Sequence, residues 1–370
     1  MRLMIEMDTA RTFRPHTILL WRKVERDAEA RRIIEMFPEA RVRIVERQRP
    51  VAIPARSRDR AVVAGKRVLM IGETASFVRQ FDGCLGTGVV CSPYAKLVPI
   101  SNGCPYYCTY CYLAQVYRDY LPAIKMNVNH DQMYREIRRT IAKADGTVAF
   151  NMGEMLDSLA LDHVSLLTQR LVSFFAGLSP GYLMLLTKSA NVEGLLDVEP
   201  HRGVVVSWSL NSERMIEAYE VGTPSLDERI EAARRGQSHG YRIRLRIDPG
   251  ILSGAWRRDY AELICKSLAV LKPENITLGM LRLLPGHFRL AARAYGRRGA
   301  GLRNQGLACR ASDGKLRYWS EQRVEFYRFV IDAIRSFNKH VSISLCRETP
   351  DVWKRLATQC ERGKCNCLIW

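Results

Sequence analysis

The sequence contains no run of about 18 apolar residues, so no membrane-spanning helix is expected. Its first residues, MRLMIEMDTARTFR, hold no apolar stretch ahead of a small-residue cleavage site, so a secretory signal is not expected. Near the cysteines at 104, 108 and 111 no second C-x2-C pair and no paired histidines follow, so the usual complement of a structural zinc site is missing. Acidic residues are in short supply: 38 against 57 Lys and Arg, a net charge of +19. No internal repeat is visible beyond an alternation of strands and helices.

What is present is a chain of 370 residues, 47% hydrophobic, long enough for a large core. Eleven cysteines without a secretion signal read as reduced thiols and metal ligands in a cytoplasm. The basic excess favours a polyanionic partner, and nucleic acid suits it best because Arg dominates. The arginines cluster at Arg41-Val42-Arg43, at Arg242-Ile243-Arg244-Leu245-Arg246 and along Arg289–Arg303.

Hydrophobic periodicity divides the chain into three parts. Residues 1–95 read as a small N-terminal α/β layer. From 96 to 285 strands and helices alternate, with strands expected at 95–101, 147–151, 182–187, 203–210, 241–247 and 275–283. Six such units with right-handed crossovers fit a partial (β/α)6 TIM-type barrel, whose chemistry belongs on the loops after the strands. Residues 286–370 read as a C-terminal α/β extension, in which 293–303 is expected to be a mobile basic loop.

Cys104, Cys108 and Cys111 stand at a C-x3-C-x2-C spacing on the loop after the first barrel strand. Three thiolates on a four-iron cubane leave one iron without a protein ligand, which makes the centre reactive. A zinc site completed by Cys84 or Cys91 is the alternative. The spacing resembles the signature of radical S-adenosylmethionine (SAM) enzymes. That resemblance implies a [4Fe-4S] cluster whose open iron chelates SAM and cleaves it to a 5′-deoxyadenosyl radical.

Met152-Gly153-Glu154, after the second strand, is similar to the Gly-Gly-Glu that holds the SAM amino group in such enzymes. Lys188, Ser209 and Asn211 follow the third and fourth strands, where barrel ligands bind. Taken alone, they read better as a surface lysine and a helix cap.

The chain further resembles the spore photoproduct lyase family of DNA repair enzymes. The likeness lies in Gly103–Tyr112, Asn127-Val128-Asn129, Leu186-Thr187-Lys188, Ser209-x-Asn211 and above all Glu220–Ala233. It implies direct reversal of a thymine dimer in DNA, with an electron donor such as flavodoxin or ferredoxin. It also implies SAM ligation by Lys188 and Ser209, Tyr110 near the adenine and cluster, and Tyr112 in a hydrogen-transfer relay. One departure stands out. The family carries a hydrogen-donating cysteine after strand two, where this chain has Glu154.

Cys346, Cys360, Cys365 and Cys367 could hold a second metal, or one could reach the barrel as hydrogen donor. Two other readings stay open: a radical SAM enzyme acting on RNA or a peptide with an auxiliary cluster, and a zinc-containing nucleic-acid-binding protein.

Overall fold

The computed structural model describes residues 13–49, 53–83 and 88–370. The signal-peptide reading of the first residues and the Cys84 reading fall outside the described residues. Among those described, no helix is long and apolar enough to cross a membrane.

Two sheets form the frame. The first has five strands in the order Arg41–Val45, Thr17–Trp21, Val68–Gly72, Ile124–Asn127, Ile100–Ser101, and only the last pairing is antiparallel. The second has eight, in the order Ser342–Leu345, Asn275–Met280, Arg242–Gly250, Val204–Ser209, Gly181–Thr187, Val148–Asn151, Tyr94–Leu97, Val78–Phe81. All its pairings are parallel except that of the outermost strand, Val78–Phe81. This is the mixed α/β architecture of a partial barrel.

The central strands bury both faces, as in Val204–Ser209, where every residue is buried. That pattern requires helices on the sheet. Leu226–His239 supplies one, and Gly236 allows its approach: a Cβ there would meet the Trp208 ring at 3.2 Å. Trp256–Leu268 and Ser320–Phe337 pack beside it, with Tyr260 edge-on to Phe326 at 4.8 Å.

Three sequence expectations change. The single strand expected over 95–101 is two, Tyr94–Leu97 in the second sheet and Ile100–Ser101 in the first. Pro99 between them has no N–H for a continuous ladder. The layers also interleave across the expected boundaries, since Ile124–Asn127 joins the N-terminal sheet and Ser342–Leu345 extends the barrel sheet.

The basic stretch expected as a mobile loop is ordered. It forms helices His287–Tyr295 and Arg297–Ala300 and a 3-10 turn Gly301–Gln305. Buried Leu290, Ala291, Tyr295 and Leu302 anchor it. Gly299 seats so closely that a Cβ would lie 1.9 Å from the Ala291 carbonyl oxygen. The arginines themselves, Arg289, Arg293, Arg297, Arg298 and Arg303, are exposed.

Candidate active site

The ends of the barrel strands open on a cavity of about 220 Å³. Cys104, Cys108 and Cys111 line it, and so do Tyr110 and Tyr112 from the same loop. Gly153, Glu154, Lys188 and Ser209 face them from the strand ends. Asn211 does not line the cavity. It is a buried brace, donating to the Pro249 carbonyl at 3.0 Å and to Glu220 at 3.3 Å and accepting from Tyr260 at 2.9 Å.

The cysteine loop is clamped on both sides. Tyr107–Cys108 pairs antiparallel with Glu220–Val221, and the Thr109 amide donates to the Tyr219 carbonyl at 2.8 Å. The Asp157 amide donates to the Gly103 carbonyl at 3.2 Å, and Lys66 Nζ donates to the Cys104 carbonyl. Gly103 leaves no room for a side chain, since a Cβ would meet Ile100 at 2.7 Å.

Burial pushes the Cys104 thiol up to about 12 and the Cys108 thiol well above its ordinary range. Neighbouring thiolates add to this: Cys111 acts on Cys104, and both act on Cys108. Such thiols release their protons when a cation takes their place. No three His, Cys, Asp or Glu among the described residues are arranged to hold a single metal ion. A cubane would take the three thiolates on three separate irons, and all three thiols line the one cavity.

Glu220 is the hub beneath the loop. Its Oε1 accepts from Lys188 Nζ at 3.1 Å and from Tyr110 Oη, and its Oε2 accepts from Arg229 at 2.6 Å. Lys188 also donates to Ser209 Oγ at 2.9 Å. Burial works against the Glu220 carboxylate, but Arg229, Lys188 and Tyr110 outweigh it and hold the group down to about 2. This explains the segment 220–233. Gly222 at φ +80° makes the turn, Ser225 and Glu228 form a capping box, and the helix they start points Arg229 back at Glu220.

The opposite wall is a chain of charges. Glu154 is paired with Arg347 at 3.0 Å and Arg246 at 3.6 Å. Asp248 is paired with Arg246 at 2.6 Å and Arg282 at 2.8 Å. Against burial, Arg347, Arg246 and Lys96 hold the Glu154 carboxyl down to about 2, so it is ionised. Arg347 reaches it from a left-handed backbone at φ +52°, a conformation kept only where the surroundings enforce it. The Glu154 carbonyl accepts from Tyr112 Oη at 2.5 Å. Gly153 lies flat against the next strand, where a Cβ would sit 2.2 Å from that of Leu186. Lys315 also faces the cavity. Burial, with Arg282 and Arg347 nearby, lowers its ammonium to about 8.

Sequence reasoning missed Asp157, Glu220, Asp248, Arg282, Lys315 and Arg347. Glu220 had a signal, as the first residue of the most specific motif. Asp157 accepts from Thr187 Oγ1 at 2.6 Å and from the Lys188 amide at 2.7 Å, a contact no pattern announces. The arginine cluster 242–246 was expected to meet phosphates. Instead Arg242 and Arg244 pair with Glu274 at 2.8 and 2.5 Å, Arg244 is fully buried, and Arg246 is in the cavity wall.

The four C-terminal cysteines do not all line one chamber. Cys360 sits apart, with Arg335 and Glu361 as its charged neighbours. Cys91 takes its place, lining with Cys346, Cys365 and Cys367 a second chamber of about 30 Å³. A hydrogen bond from Cys367 lowers Cys365 to about 7, and Cys367 Sγ lies 3.8 Å from Glu154 Oε1.

Known proteins resemble this chain in sequence and in fold. The chain is 27% identical to the spore photoproduct lyase of Clostridium acetobutylicum over 228 residues, 61% of this chain and 65% of that one. It is 28% identical to that of Bacillus subtilis over 180 residues, 48% of this chain and 52% of that one. The chain thus spans between half and two thirds of the length of these relatives. A solved spore photoproduct lyase with dinucleoside spore photoproduct superposes with a TM-score of 0.76 at 21% identity, covering 90% of this chain and 100% of that one. A likeness at that identity speaks for the fold. The spore photoproduct lyase family model matches residues 13–294, a span that holds the cysteine loop, Glu154, Lys188, Ser209 and the Glu220 clamp, and the chain belongs to that family.

Proposed function

We propose that this protein is a radical SAM lyase that reverses a thymine dimer of the spore photoproduct kind in DNA. The observation that carries the reading is the meeting of three cysteines on one clamped loop with Glu154, Lys188 and Ser209 in a single cavity. Cys104, Cys108 and Cys111 would hold a [4Fe-4S] cluster, and SAM would fill the space between them and the strand ends. When bound, these groups would supply radical chemistry that removes hydrogen from the substrate.

The chain's own residues do the holding. Lys188, paired with Glu220, offers donors to a carboxylate, and Ser209 offers a hydroxyl to the same ligand. Gly153 keeps the floor flat for close approach. Tyr110, fixed by Glu220, presents its ring 6.0 Å from the Lys188 ammonium. Tyr112 lines the cavity where a hydrogen-transfer group would be useful.

The lesion must leave the base stack to reach a cavity of this kind. The exposed arginines of 289–303 would hold its phosphates. An external one-electron donor, a flavodoxin or ferredoxin, completes the reaction, and a reducing cytoplasm suits the free thiols. The C-terminal cysteines are read as thiols rather than as a second metal site, because Cys360 stands apart from the three that share the small chamber.

Anaerobic reconstitution with SAM, reductant and ultraviolet-irradiated DNA should yield 5′-deoxyadenosine and restored thymine, with about four irons per chain. 5′-Deoxyadenosine without restored thymine would keep the radical chemistry and remove the substrate. A colourless zinc-loaded protein would remove both.

A further inference from the structure

Glu154 is a partition. On one side is the catalytic cavity, on the other the small thiol-lined chamber, and Glu154, Arg246 and Arg347 line both. The chamber has room for little more than a water molecule. Cys365 and Cys367 are hydrogen-bonded to each other there. Cys367 Sγ then reaches Glu154 Oε1 at 3.8 Å, while Tyr112 Oη donates to the Glu154 carbonyl at 2.5 Å. One residue therefore touches both the phenol in the cavity wall and the thiol behind it. Glu154 has no hydrogen to give, since its carboxylate is paired with two guanidiniums.

We propose that Cys367, backed by Cys365, is the hydrogen source for a radical formed in the cavity, with Tyr112 as the group that meets the radical. The inference rests on the radical reading above. A substrate carbon radical takes the hydrogen of the Tyr112 O–H: a C–H bond forms and a tyrosyl radical remains. The Cys367 S–H bond breaks, its electron going to the tyrosyl radical and its proton to the Glu154 carboxylate it already faces; the phenolate so formed takes that proton up, leaving a neutral phenol and a thiyl radical. The Cys365 thiolate bonds to that sulfur, giving a disulfide radical anion. One electron from the external iron–sulfur or flavin donor, with one proton, returns the pair to thiol and thiolate. Glu154 passes that proton across and gives up none of its own, while it keeps the two donors on either side of one wall.

Single turnovers on irradiated DNA with limiting donor, quenched in air so that oxygen takes the spare electron, should give a Cys365–Cys367 disulfide in proportion to product. Peptide mass spectrometry reads it. Cys367→Ser and Cys367→Ala should still form 5′-deoxyadenosine but make at least ten-fold less restored thymine, while Cys360→Ala should match the unaltered protein. Full product yield from the Cys367 variants, or a disulfide whose amount ignores turnover, overturns the assignment. If the unaltered protein makes no 5′-deoxyadenosine, the radical reading fails instead. The thiol pair is then judged on substrate-free protein treated with glutathione disulfide. Cys365 should form the mixed disulfide and Cys367 should resolve it, and a stable mixed disulfide with no Cys365–Cys367 bond overturns the pairing.

Discussion

Arg229 and Glu220 meet at 2.6 Å with neither side chain exposed to water. A buried pair contributes little net stability once desolvation is counted, yet breaking it is expensive because one charge stays buried alone. Arg229→Met should therefore cost about 3–5 kcal/mol in denaturant unfolding. Adding Glu220→Gln should recover part of that loss. It should not recover cofactor retention, because Lys188 and Tyr110 both lean on the Glu220 carboxylate. Equal loss in the single and double variants would argue against the hub.

Glu154 predicts a pH dependence. Its folded carboxyl, at about 2, lies below the ordinary 4.5, so folding favours the ionised form. The stability it contributes is complete above about 4.5 and disappears as pH falls toward 2. At about 1.4 kcal/mol per unit this is of order 3 kcal/mol. Subtracting the unfolding curve of Glu154→Gln from that of the unaltered protein, pH by pH, should isolate the effect.

Lys315 predicts a second one, in binding rather than stability. Below about 8 its ammonium adds positive charge to the cavity, and above that it does not. Affinity for an anionic substrate should weaken as pH rises from 7 to 9, and Lys315→Gln should flatten the profile. A variant with the same slope would place the titrating group elsewhere.

Gly153→Ala should be damaging out of proportion to one methyl group. The added carbon would fall 2.2 Å from Leu186 Cβ, so two strand ends must separate. Overpacking of this kind costs about 1–3 kcal/mol. SAM affinity, followed by equilibrium dialysis of reconstituted protein, should fall more than stability does.

Replacing Arg289, Arg297, Arg298 and Arg303 together by Ala should weaken DNA binding and flatten its salt dependence by roughly 0.9 for each phosphate no longer neutralised. Arg293 is left out because it lies 3.5 Å from Asp59. Catalysis on a dinucleotide, which has no flanking phosphates, should be unaffected.

The parallel strands and the cysteine loop were legible because both are local. Val204–Ser209 announces itself by β-branched residues, and the three thiols by their spacing. Glu154, Lys188 and Ser209 were picked out because a family resemblance pointed to residues that follow strands, and they line the cavity. What escaped depends on tertiary pairing. The 242–246 arginines look like a basic patch until Glu274 is placed beside two of them. Arg347 and Lys315 belong to segments without periodicity, and only folding brings them to the cavity. The order in 286–318 was hidden by its glycines, which serve close packing rather than freedom, as Gly299 does. Cys91 and Cys367 lie 276 positions apart, by subtraction of their numbers, yet line one chamber.

The cysteine loop leaves and re-enters the same N-terminal sheet, through Ile100–Ser101 and Ile124–Asn127, which pair with each other. The residues it faces, Glu154, Lys188 and Ser209, stand at or just past the ends of strands of the barrel sheet. The site is thus a seam: one layer brings the thiols, the other brings their counterparts. Neither layer expressed by itself would assemble the centre. Retention of iron then becomes a gauge of docking between the two layers, and a substitution far from the cavity that loosens the seam should bleach the protein before it unfolds it.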